Sequence, residues 1–176
     1  MRYFVLKNDE RISDMPRPRD FFEKIDVWKV SAGSSGQIPY WTLIRIQPSK
    51  STVFPEVLCS PVLLVTQDAQ SIIKLYDQYI TYRQVIYLDQ EYAHTQLYFM
   101  PMLDSIDCLS PRSEYANKSR GAFSKVVITK APISGRTIFQ VKNPTQRVIV
   151  VRLDLVESLL ACGYKGFALE EAEIED

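Results

Sequence analysis

Val151–Asp176 reads VRLDLVESLLACGYKGFALEEAEIED, and the order of signals in it decides the fold class. Val151 and Leu153 end a β-rich run. Asp154 and Glu157 are then spaced three apart, the pattern of a capping box. There the first side chain takes an orphan backbone N–H and the second returns the bond, a start whose loss costs ~1 kcal/mol. Val156, Leu159 and Leu160 are expected to face inward. Gly163 supplies the left-handed position that stops the helix. GFALEE then leaves as a strand with Phe167 and Leu169 on one face. A strand, a capped helix and a second strand follow one another, with no catalytic constellation among them.

Upstream, TIFQVK and RVIVVRL read as strands joined by NPTQ, and AFSKVVITK as another joined by APISGR; both joints are good turn sequences. The N-terminal RYFVLK is a strand with Tyr3 and Val5 on one face and Phe4 and Leu6 on the other. NDERISDMPRPRDFF is a loop broken by Pro16 and Pro18, VWKV reads as a short strand, and SAGSSGQIP as the most flexible internal stretch. YWTLIRIQ alternates, with Trp41, Leu43 and Arg45 on one side and Tyr40, Thr42, Ile44 and Ile46 on the other. SPVLLVTQDAQSIIKLYDQYI passes from a short apolar run into a helix that Thr66 is placed to cap. Its stripe is Ile72, Ile73, Tyr76, Tyr79 and Ile80. QVIYLD resumes strand, and HTQLYFMPMLDSIDCL is strand-like but interrupted by Pro101.

About ten strands and two main helices do not alternate regularly, which argues against a parallel doubly wound sheet. The expectation is one α+β domain over residues 1–176, a mainly antiparallel sheet with about two packed helices. Its core is expected to include Tyr3, Val5, Ile44, Ile73, Tyr76, Val127, Ile149, Val151, Leu159, Leu160 and Phe167.

The 176 residues are 46% apolar and 24% charged, an ordinary globular composition. No run approaches the ~20 apolar residues of a membrane span, and MRYFVLKNDE is too short in its apolar part for a secretion signal; a cytoplasmic location is expected. Cys59, Cys108 and Cys162 are unpaired in spacing and have apolar neighbours, so three buried reduced thiols are expected and no metal site.

His94 is the only histidine, so any Ser-His-Asp or Cys-His machinery must use it. It stands in EYAHTQLYF with no nucleophile in a tight turn beside it, as a surface or edge-strand residue. Phosphate-binding glycine loops are missing from the sequence, and AGSSGQ is not a nucleophile elbow. Asp89 with Glu91, and Asp104 with Asp107, are the carboxylate pairs an acid–base enzyme could use; as loop charges they are ordinary. Neither a cofactor nor catalysis is expected.

Charge is uneven although the net is zero. Pro111–Arg147 carries eight basic residues against Glu114 alone, a net of +7, while Val148–Asp176 carries two bases against seven acids. Two arrangements are open: mutual neutralisation across a folded sheet, or a polarised face that steers a charged partner. On the second arrangement the polar loop SPRSEYANKSRG supplies Arg112, Tyr115, Lys118 and Arg120 as partner-binding residues, Arg and Tyr being types enriched in binding hot spots. Neutral overall charge and the lack of a recognised motif argue against nucleic acid.

MRYFVL, SPVLLVTQDAQSIIKLY, LYFMPMLDSIDCLSPRSEY, IFQV and VIVVRLDLVESLLACGYKGFALEE, in that order over most of the chain, resemble a bacterial domain-of-unknown-function family assigned to immunity proteins of polymorphic toxin systems, the myxobacterial type. The resemblance lies in fold-determining apolar patterns and brings no catalytic motif. It implies a cytoplasmic, non-catalytic inhibitor that protects its own cell by binding a cognate toxin domain. An enzyme using an unrecognised carboxylate site and a structural or oligomerising module are the alternatives.

Overall fold

The computed structural model describes residues 1–116 and 123–176. In chain order its elements are β1 (Tyr3–Asn8), α1 (Phe21–Lys24), 3-10 turns at Val27–Lys29 and Ala32–Gln37, and β2 (Trp41–Arg45). β3 (Val57–Leu58), β4 (Leu64–Val65), α2 (Gln67–Tyr76), β5 (Thr81–Asp89), β6 (His94–Met102) and β7 (Ser105–Ile106) follow. The remainder is β8 (Glu114–Tyr115), β9 (Phe123–Lys125), β10 (Val127–Thr129), a 3-10 turn at Ala131–Ile133, β11 (Ile138–Val141), β12 (Val148–Arg152), α3 (Leu153–Ala161) and β13 (Phe167–Glu175).

One sheet has six strands in the order β10-β13-β1-β12-β11-β7, a second has five in the order β2-β5-β6-β4-β3, and β8 pairs with β9 apart from both. Neighbours are mainly antiparallel; β10–β13, β11–β7 and β2–β5 run parallel. The fold is α+β, as expected.

The six-stranded sheet is buried on both faces, which explains the unbroken apolar run Val148–Val151. Val148 and Val150 join Tyr3, Val5 and Phe139 on one face. Ile149 and Val151 join Leu6 and Ile138 on the other, where α2 and α3 supply Ala69, Ile73, Leu155, Val156 and Leu159. Val57 and Val65 of the five-stranded sheet reach into this same cluster, so the helices lie between the two sheets. The opposite face of the five-stranded sheet, with Ile44, Val85, Tyr87, Tyr98 and Met100, is covered by Phe21, Ile25, Val30 and Ile38.

α3 begins two residues earlier than the capping-box spacing implies. β12 runs straight into it, Arg152 occupies the N-cap position in extended backbone, and no side chain caps the start. Asp154 instead sits in the first turn, clamped by Arg152 at 2.7 and 2.8 Å and accepting the Leu155 N–H at 3.0 Å. A carboxylate there still favours the positive end of the helix. The buried stripe is Leu155, Val156 and Leu159. At 3.6 residues per turn, Leu160 points about 90° away from the centre of that stripe. It is 51% exposed and is not a core residue. The helix stop is as read: Gly163 has φ +74°, and the bonds Tyr164 N–H to Leu159 O and Gly163 N–H to Leu160 O form a Schellman closure.

Other expectations shift for local reasons. Val27–Lys29 is a 3-10 turn rather than a strand, because the Asp26 carboxylate accepts the Trp28 N–H and bends the chain. Ala32–Gln37 is also a 3-10 turn, fastened by Arg83, which donates to Ser35 O and Ile38 O. α2 starts after Thr66, but the Thr66 hydroxyl is buried without a partner and does not cap it. The helix ends at Tyr76, leaving Tyr79 outside it and 85% exposed. β6 runs through Pro101, which lies beyond its single bridge to β4 at Val65–Phe99, where no neighbouring ladder requires its N–H. Cys108 is buried and Cys59 half-buried, but Cys162 is exposed just past α3.

Candidate functional site: an uncovered sheet face

Among the described residues, four of the eight basic residues in the segment pair with carboxylates within the molecule. Arg112 donates to Glu175 and Glu173, both at 3.3 Å, so β13 holds it down on the sheet. Lys125 pairs with Glu173 at 2.6 Å, Lys130 with Asp176 at 2.7 Å, and Arg136 with Asp104. Tyr115 stacks on Phe123 with ring centroids 4.5 Å apart and packs against the core. Lys118 and Arg120 lie outside the described residues. The acidic C-terminal strand and the basic segment thus sit across one another, and sequence-distant charges cancel locally.

Arg147 has a different fate. Its guanidinium donates to Val30 O at 3.0 Å, to Gln140 Oε1 at 2.7 Å and to Val27 O. No carboxylate faces it within ion-pair distance among the described residues, and burial pushes its pKa down to about 10. Its work is structural, tying the 3-10 segment to the strands β11 and β12.

The carboxylates that an enzyme would need are committed elsewhere. Asp89, read from sequence as a loop charge, is fully buried. Burial pushes its pKa up, but N–H groups of Ser49, Tyr92 and Glu91 at 2.9–3.1 Å outweigh that and hold it below the ordinary range. Asp89 therefore fastens the β5–β6 turn to the loop at Ser49. His94 opens β6 opposite Asp89, half-buried, with Nδ1 unpartnered. Asp104 is exposed in its pair with Arg136, and Asp107 is exposed. Among the described residues no group of three or more His, Cys, Asp or Glu could hold a metal ion. No helix among them is long and apolar enough to cross a membrane.

What the fold leaves open is half of one sheet face. Cross-strand register aligns Trp41 with Gln84 and Phe99, Leu43 with Ile86 and Leu97, and Arg45 with Leu88 and Thr95. These side chains share one face, since alternate residues point the same way. α2 covers its far part, where Phe99, Tyr82 and Val65 pack against Ala69 and Ile73. The near part is bare. Trp41 is 60% exposed and Leu97 37%, while Leu43, Ile86 and Leu88 are half-buried.

The open edge of β2 is by contrast blunted. Arg19 N–H bonds to Arg45 O, Gln47 N–H to Arg17 O, Lys24 Nζ to Leu43 O, and Arg45 N–H to Asp20. Addition of another strand there is obstructed, which leaves the face rather than the edge for contact. Sequence alternation did place Trp41, Leu43 and Arg45 together. The signal that this side is the outer one was Arg45, a charge in an otherwise apolar row.

No protein-family model matches the chain, and no curated protein matches it.

Proposed function

We propose that the protein is a non-catalytic binding protein, a cytoplasmic immunity protein that neutralises a cognate toxin domain by direct contact. The observation that carries this reading is the bare apolar strip on β2, β5 and β6. Its exposed Trp41 is of a residue type enriched in binding hot spots, and Leu97 lies beside it on the same face. The 111–120 loop is less suited to be the centre of contact, because Arg112 is engaged by Glu173 and Glu175. It can still contribute to a polar rim, where charge governs association rate more than affinity.

The test is co-production with the product of any large gene adjacent to this one. Restored growth, together with a stoichiometric complex on size-exclusion chromatography, is the expected result. Continued killing with no complex sinks the immunity reading and leaves the structural or enzymatic alternatives.

A further inference from the structure

The bare strip specifies what lies on it. Resting on the binding role proposed above, we infer that its occupant is an amphipathic helix of the partner. This helix is apolar along its centre, carries carboxylates at its margins, and lies beside α2.

Shape comes first. α2 already packs on the β4–β6 part of this face through Phe99 and Val65. The uncovered part spans β2, β5 and β6, and three adjacent strands set about 10 Å between the outer two axes. That is the width of one helix with its side chains. A helix laid there completes a two-helix layer over the five-stranded sheet, with Trp41 and Leu97 as the most exposed anchors.

Charge decides the margins. Arg45 is the only charged side chain that β2, β5 and β6 direct to this face. At the α2 side Lys74 holds its Nζ 5.3 Å above the Tyr82 ring. Asp20 is the carboxylate near Arg45, at 4.0 Å, and it is already paired with Lys24 at 2.7 Å. One acid therefore answers two cations at the Arg45 end of the strip, which leaves a net positive charge there, while at the other end Lys74 and the Asp77 carboxylate both act on Tyr82. Carboxylates on the partner's margins match this pattern, whereas lysines there oppose it.

A second copy of the chain fits poorly. A twofold arrangement sets the same patch against itself, so the net positive charge at the Arg45 end finds no surplus acid opposite it. The strip is also small, roughly 200 Å² from strand spacing and rise. A standard interface takes about 800 Å² from each side, so the charged margins must take part.

The test uses the intact protein with Trp28→Phe, which leaves Trp41 as the only tryptophan. Two helical peptides of about 18 residues serve as probes, long enough to hold a helix. Both have leucines along one face; one has glutamates at the margins and the other lysines. Expected are a blue shift of Trp41 emission with the glutamate peptide, and association roughly tenfold faster than with the lysine peptide at low salt. That difference shrinks at high salt. Leu97→Ser weakens binding of the glutamate peptide, and Arg45→Glu with Lys74→Glu reverses the preference.

Equal binding of the two peptides, or none, overturns the inference. So does stronger uptake onto phosphatidylserine vesicles, or a dimer in sedimentation that Leu97→Ser dissociates. The two proposals fail separately. A toxin complex indifferent to Leu97→Ser and Arg45→Glu defeats this inference alone. A clear peptide preference with no toxin complex defeats the immunity reading alone.

Discussion

The register of α3 is tested by cutting back two adjacent leucines. Leu159 is 2% exposed and packed in the cluster shared by α2, α3 and the six-stranded sheet. Leu159→Ala removes three buried carbons, about 2.4 kcal/mol at ~0.8 kcal/mol per methylene. The site is enclosed by two helices and a sheet, so it collapses only partly and a cavity cost adds to the transfer cost. A total of about 3–4 kcal/mol is expected, within the range for buried leucines. Leu160 is 51% exposed, so its truncation loses at most about half the transfer term and leaves no cavity. Alanine also has the better helix propensity, which offsets part of that loss, and about 0.5–1 kcal/mol remains. For a chain of this size each kcal/mol moves the midpoint by about 2–4 °C. Leu159→Ala should then melt roughly 6–16 °C lower and Leu160→Ala no more than about 4 °C lower. Urea titration with the slope fitted separately gives the same comparison free of heat-capacity effects. Equal losses for the two variants, or a larger loss for Leu160→Ala, refute the placement of the buried stripe.

Gly166 has φ +103°, and a Cβ there meets Val57 O at 1.9 Å, so Gly166→Ala should lose more than about 2 kcal/mol in urea titration. A nearly neutral result contradicts the close approach of β3 to the β13 entry. Asp89→Asn turns one accepting oxygen into a donor that faces a backbone N–H, and should destabilise at neutral pH. Because the folded pKa of Asp89 is depressed, its contribution is present above the ordinary carboxylate value of about 4 and is lost as pH falls through the folded value. The stability gap between wild type and Asp89→Asn should therefore close in acid; a gap that stays constant with pH argues against the N–H cradle. Thiol titration of the native protein should find one fast cysteine, Cys162. Cys59 and Cys108 should react slowly, their thiols pushed up to about 12 and about 11 by burial. Three fast thiols contradict the packing around Cys59 and Cys108.

Local signals in the chain determined much of the fold by themselves. The left-handed requirement at Gly163, the alternation in Trp41–Ile46 and the continuous apolar run Val148–Val151 each belong to a few consecutive residues, and each appears as read. Expectations that depended on a neighbouring element shifted. Asp154 gave up the cap position because β12 enters α3 without a loop residue, a matter of chain direction set by the sheet. Leu160 turned outward because the sheet and α2 choose which stripe of a broadly apolar helix is buried. Asp89 became a buried fastener because Ser49, forty residues away, brings an N–H to it.

The same division runs through the candidate site. Sequence placed Trp41, Leu43 and Arg45 on one side of a strand, but both sides of that strand carry apolar residues. Arg45 marked the outer side, but the tertiary packing, with the 21–38 segment on one face and α2 on part of the other, decided how much of it stays bare. The basic run 111–147 was legible as a charge count. Its partial neutralisation was not, because Glu173, Glu175 and Asp176 reach Arg112, Lys125 and Lys130 through a parallel β10–β13 pairing between segments about 45 residues apart. Charge acts through distance in space, and that distance is set by which strands become neighbours.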